Sequence, residues 1–148
     1  MDNDIYYMLG NLYEDKEKSE QAYRLAARGE FNLSSAMYYN DQPPQMMYYS
    51  AKAIEALGDK DEAKKRFNAF IEYANNHMND EMKIDYFAVS LPDFLIFEGD
   101  LNKNNKVHCN LMAALGYLGI GDNDNAQKNA KQGLELNQCH AELRDIVK

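Results

Sequence analysis

The stretch Tyr117 to His140, YLGIGDNDNAQKNAKQGLELNQCH, reads as a helix end, a Gly-Asp turn and a second amphipathic helix with small residues at helical spacing. That is the pattern of a helix hairpin. An echo, IEALGDKDEAKKRFNAFIEYA, begins at Ile54, and a fainter one opens at Tyr6 as YYMLGNLYEDKEKSEQAYRLAARGE. Repetition of this kind predicts stacked helix pairs, each burying its apolar face on the next, and so an all-α chain.

Working outward, apolar residues at Ile5, Met8, Leu9, Leu12 and Tyr13, then at Ala22, Leu25 and Ala26, fall at spacings of three and four, marking two helices joined near Glu14 to Lys18. Phe31 to Asn40 reads as weakly helical. Asp41-Gln42-Pro43-Pro44 supplies a helix start, so the next helix is expected from Pro43 to Leu57. Gly58 ends it, and Asp59 or Asp61 caps a successor over Lys60 to His77, with Ala63, Phe67, Phe70, Ile71 and Ala74 on its apolar face. The third unit places helices at Leu101 to Leu118 and Asp124 to Leu136, and a capping helix is expected at Ala141 to Val147. The reading is one domain over residues 1–148, with repeats at 2–30, 43–77 and 101–137 and an irregular insert at 78–100. The insert contains Tyr86 to Phe97, YFAVSLPDFLIF, the most apolar stretch of the chain.

The pattern Tyr6-x2-Leu9-Gly10-x2-Tyr13 with Ala22 and Ala26 resembles the tetratricopeptide repeat. So do Ala51, Ile54, Ala63 and Phe67 in the second unit, and Ala114, Tyr117, Ala126, Ala130 and the ending Leu134-Glu135-Leu136-Asn137 in the third. The resemblance implies a right-handed solenoid of about three hairpins. The equivalent alanines Ala22, Ala63 and Ala126 are spaced more widely than the family's repeat of about 34 residues, most of all across the insert. The insert followed by an Asn-rich helix start, His108-Cys109 and the LGYLGIGD hairpin is also similar to the C-terminal repeat region of large uncharacterised bacterial proteins, where the repeats follow a β-rich domain linked to carbohydrate. That similarity implies a fragment or a stand-alone relative of such a protein, with a carbohydrate-related accessory role as a further expectation.

The 148 residues carry a net charge of -8, which repels phosphate backbones, so nucleic acid is not an expected partner and a basic or neutral one is favoured. No apolar run reaches the roughly 20 residues of a membrane span, and MDNDIYYMLG lacks the apolar core of a signal peptide; a cytoplasmic location is expected. Two cysteines are too few for a disulfide framework. The 11 tyrosines include the pairs Tyr6-Tyr7, Tyr38-Tyr39 and Tyr48-Tyr49. Neighbours on a helix point about 100° apart, so each pair should bury one ring and leave the other at an edge or in a groove.

His108-Cys109 and Cys139-His140 fall at one pole of a hairpin. Adjacent ligands on a helix diverge, however, so no zinc is expected and Cys109 should pack as a small hydrophobe. Asp122 to Asn125 lacks the alternating ligands and terminal glutamate of a calcium loop and reads as a helix cap. Asp80, Glu81, Asp85, Asp93, Glu98 and Asp100, around the insert, read as solvated charges rather than a catalytic pair. With no nucleophile elbow, phosphate loop or zinc-protease helix, the expectation is a chain that is not an enzyme and uses no cofactor.

The resemblance implies a scaffold whose concave face, lined by first helices, binds a peptide or protein segment. The partner-binding residues expected there are Tyr7, Asn11, Tyr48, Lys52, Asn110 and Ala113. In the insert, Phe94 and Phe97, with Phe87, Leu91 and Leu95, either cover the open end of the stack, the favoured reading, or meet a partner. A competing expectation is a structural module that packs on its own kind as a homo-oligomer or on an attached domain, because uncapped solenoid ends associate.

Overall fold

The computed structural model describes residues 2–34, 42–82 and 100–147. Seven helices run through them: α1 (Asn3–Leu12), α2 (Lys16–Ala26), α3 (Pro44–Ala56), α4 (Lys60–His77), α5 (Leu101–Gly119), α6 (Asn123–Leu136) and α7 (Ala141–Ile146). The described residues are all-α, and the helix ends fall within a residue or two of those read from the sequence, the ordinary uncertainty of a fraying terminus. Phe94, Phe97 and the expected cap Asp41 lie outside the described residues. Residues 31–34 carry no helix. Phe31 instead sets its ring edge-on to Phe70 at 5.5 Å, beneath the Arg66 guanidinium.

Two junctions are built alike. After α3, the Gly58 N–H donates to the Glu55 carbonyl and the Asp59 N–H to that of Ile54; after α5, the Gly121 N–H donates to Leu118 and that of Asp122 to Tyr117. Both glycines have positive φ, 104° and 83°, the left-handed turn that closes a helix end in this manner. Each following aspartate then caps the next helix, Asp59 accepting from the Glu62 N–H at 3.1 Å and Asp122 from that of Asn125 at 3.1 Å. Asp122 also accepts from the Asn125 side chain at 2.7 Å, and these bonds hold its carboxyl below the usual carboxylate range.

Each helix packs on its neighbours in sequence within the paired units, and the odd-numbered helices touch in succession: α1 on α3, α3 on α5, and α5 on α7. The core centres on α5, whose residues Val107 to Gly116 are all buried. Phe67, Phe70, Ala63 and Ala74 of α4 cover one side of it; Ala126, Ala130 and Gly133 of α6 are buried on another. A Cβ on Gly116 would lie 2.7 Å from the Phe67 carbonyl oxygen and 2.7 Å from Ile71 Cγ1, so α4 and α5 approach as closely as backbone permits.

The first unit buries less than its periodicity promised. Ile5, Met8, Leu12 and Tyr13 are exposed, and α1 contributes Asn3 and Gly10 to the interior. A Cβ on Gly10 would meet the Tyr23 ring at 2.5 Å, which places α2 tight against α1. An aromatic series then crosses into the second unit: Tyr23 to Tyr7 at 5.9 Å, Tyr7 to Tyr49 at 5.6 Å, Tyr49 to Tyr48 at 5.4 Å and Tyr48 to Phe67 at 5.8 Å between centroids.

Buried polar side chains close helix ends from a neighbouring helix. Asn3 Nδ2 donates to the Ala26 and Arg28 carbonyls at 2.6 and 2.8 Å, Ser50 Oγ to Ala27 at 3.1 Å, and Asn105 Nδ2 to His77 at 2.7 Å. Carbonyls at a helix C-terminus lack a partner within the helix, so these side chains fix where one helix meets the end of another.

Two substitutions separate close approach from generic helix propensity. Gly116→Ala is expected to destabilise by about 1–3 kcal/mol through overpacking against backbone. Gly133→Ala should cost less, because its new methyl meets the movable end of Leu143. Urea melts with equal slopes and a lower midpoint for Gly116→Ala are the expected outcome; equal midpoints would show that the helices can separate freely.

Candidate functional site

Between α1, α3, α5, α6 and α7 lies a groove of about 660 Å³. Its apolar lining comes from Met8 of α1, Met46 of α3, Leu115 and Leu118 of α5, and Ile146 of α7. The exposed part of this set follows from packing: Met46, Leu118 and Ile146 are only half-buried and Met8 is exposed, while Leu115 belongs to the buried face of α5. Carboxylates stand around it, Asp4 from α1 with Glu142 and Asp145 from α7, together with the amides Gln45, Asn123 and Gln127. The lining contains no lysine or arginine among the described residues.

Glu142 Oε1 accepts from Gln45 Nε2 at 3.1 Å, and its Oε2 lies 3.1 Å from His140 Nδ1. Tyr49 registers the field of the groove. Burial raises its phenol above the ordinary value of 10.0, and the nearby charges of Asp4 and Asp145 add to the shift. Tyr48, next to it, is raised further, chiefly by burial and then by Tyr49, Tyr7 and Glu55.

The sequence-derived binding residues divide by location. Tyr48 lines the groove, though most of its ring is packed against Tyr49 and Phe67. Tyr7 reaches it only through its contact with Tyr49. Asn11 is exposed on α1, and its Oδ1 accepts from the Tyr23 hydroxyl at 2.8 Å. Lys52 pairs with Glu55 one turn along its own helix and stands 6.0 Å from the centre of the Phe67 ring. Asn110 and Ala113 are only 4% and 3% exposed, because α5 is enclosed on the sides that a first helix of an open array would present. Sequence reasoning missed Asp4, Met8, Met46, Glu142 and Asp145. The available signal was the pair Glu142 and Asp145 three residues apart on α7, with a methionine on α1 and another near the start of α3.

The histidine pole has its own chemistry. His108 Nε2 lies 2.9 Å from the Ser34 carbonyl and so carries the proton it donates. Burial, opposed by this bond and assisted by His140, lowers its affinity for a second proton below the ordinary 6.5. Its ring meets Tyr73 edge-on at 6.1 Å, and burial pushes the Tyr73 hydroxyl up to about 12. Cys109 is buried and its thiol is pushed up to about 11, again mainly by burial, which fits an inert packing residue. Among the described residues no group of three or more His, Cys, Asp or Glu side chains is placed to hold a metal ion. No described helix is long and apolar enough to cross a membrane.

No family model matches the chain, and no solved structure matches it.

The His108 geometry predicts a pH dependence with a definite sign. Its folded-state value lies below the unfolded one, so below about 6.5 the unfolded chain binds a proton that the folded chain resists. The contribution of His108 is therefore intact above that pH and is lost as pH falls through this window. Urea midpoints from pH 7.5 to 5 should fall more steeply for wild type than for His108→Gln, which retains a donor toward Ser34; parallel curves would refute this origin.

Proposed function

We propose that the chain is a non-enzymatic interaction scaffold that holds a peptide or protein segment in the groove between α1, α3, α5, α6 and α7. Its fold in this reading is a tetratricopeptide-like, right-handed stack of about three hairpins. The observation that carries the proposal is the groove itself, a concave apolar floor of Met8, Met46, Leu118 and Ile146 with polar groups around it. Concave, mainly apolar clefts with a few placed polar groups are the usual form of binding sites. The successive contacts of α1, α3, α5 and α7, and the repeated Gly-Asp junction, support the stacked arrangement.

Peptides selected from a random displayed library on the purified chain provide the test. Their affinity should fall about tenfold or more for Met46→Asp or Leu118→Asp, since truncating or charging a central anchor typically removes more than 1.4 kcal/mol. Lys128→Glu, at an exposed position on α6, should leave it unaltered. Binding that is indifferent to the groove substitutions, with each variant folded by circular dichroism, would sink the proposal.

A second reading is a packing or oligomerisation module, attached in this view to a larger bacterial protein with a carbohydrate-handling domain. One observation favours it: Ile5, Met8 and Leu12 form an exposed apolar stripe at helical spacing on α1, with Leu12 75% exposed. Light scattering should then find a dimer that Ile5→Ser with Leu12→Ser returns to monomer. A wild-type monomer at high concentration would remove this alternative.

A further inference from the structure

We infer that the occupant of the groove is a basic peptide segment, with a lysine or arginine seated between Asp4 and Asp145 over the Tyr49 ring and an apolar neighbour on Met8, Met46 and Leu118. This rests on the groove being a peptide site and adds the chemistry of the partner.

Charge complementarity decides the occupant. Asp4 and Asp145 have no hydrogen-bond or ion-pair partner among the described residues, whereas Glu142, on the same helix as Asp145, accepts from Gln45. With no cation in the lining, the groove offers two uncommitted carboxylates beside an apolar floor. They arrive from different elements, Asp4 from the start of α1 and Asp145 from α7, and both act on the Tyr49 phenol of α3. All three side chains line the one groove. An acidic or purely apolar ligand placed there would strip water from the carboxylates without replacing it. A cationic side chain replaces that water with two charge-assisted bonds and gains the face of the tyrosine ring.

The floor defines the remainder of the ligand. Methionine side chains are unbranched and polarisable, so Met8 and Met46 can fit differing apolar side chains without a fixed pocket shape. A groove of about 660 Å³ accepts a few side chains rather than a folded domain. The negative net charge of the whole chain, -8, attracts such a segment from a distance and makes its capture dependent on salt.

Fluorescence anisotropy with synthetic peptides tests this. Three labelled peptides share one leucine spacing and carry lysine, glutamine or glutamate at every polar position. The lysine peptide should bind about five- to tenfold more tightly than the glutamine peptide, the margin of two partly exposed ion pairs. Asp4→Asn with Asp145→Asn, folded by circular dichroism, should erase that margin. Glu72→Gln with Glu135→Gln removes the same charge from exposed positions on α4 and α6 and should preserve most of it. Equal loss in the two double variants would mean diffuse attraction to an acidic protein and overturns the inference. Equal or tighter binding of the glutamine or glutamate peptide, still sensitive to Met46→Asp, overturns the basic partner while the groove survives. Failure of all three peptides on a folded chain overturns the basic partner, and the library selection then decides the groove separately.

Discussion

A helix enclosed on nearly every side must let its neighbours come close, and α5 does so at Gly116. The Phe67 carbonyl and Ile71 stand where a side chain would have to go. Everything downstream depends on this approach. It sets the depth at which Phe67 and Phe70 enter the core, and with Phe67 the α4 end of the aromatic series. Alanines at 113 and 114 and at 126 and 130 serve the same purpose, keeping α5 and α6 close enough for the interior to fill without voids. The hydrophobic contribution is distributed over these contacts, while the direction of each helix is specified by polar ones. Asn3, Ser50 and Asn105 each donate to a carbonyl at the end of a neighbouring helix that has no partner within its own helix.

The groove is the counterpart of that packing. Where α5 turns from its enclosed middle toward Leu118, and α7 is too short to cover the surface beside α1 and α3, a concave space remains. Its floor continues the core through Leu115, and its carboxylates come from α1 and α7. Acidic groups beside an apolar floor join attraction at a distance with apolar contact at close range. The histidine pole differs in kind. There burial has made His108 a neutral donor to Ser34 and Cys109 a quiet packing residue, an arrangement that holds a connecting segment rather than a ligand.

Much of the helical layout was legible because its signals are local. Gly58-Asp59 and Gly121-Asp122 stop one helix and start the next through bonds spanning only a few residues, and the spaced alanines of α4 and α6 mark their inner faces. Periodicity failed where it was asked to report burial. Ile5, Met8 and Leu12 have the same spacing as core residues yet face solvent, since spacing defines a face of a helix and not what lies against it. The candidate site was read mostly in the wrong places for a related reason. Asn110 and Ala113 occupy the helix that a repeat pattern assigns to a groove, but α5 is wrapped by α4 and α6 at that height.

The sequence by itself determined the all-α character of the described residues and the Gly58-Asp59 and Gly121-Asp122 junctions with their caps, because capping geometry and hydrophobic spacing act within one or two turns of chain. Only the tertiary structure decided which tyrosine of a pair is buried, that Asn3 closes α2, and that Asp4 and Asp145 both bear on Tyr49. Those outcomes depend on the distances between helices, and these are set by the volumes that fill the space between them, a property that no single segment carries.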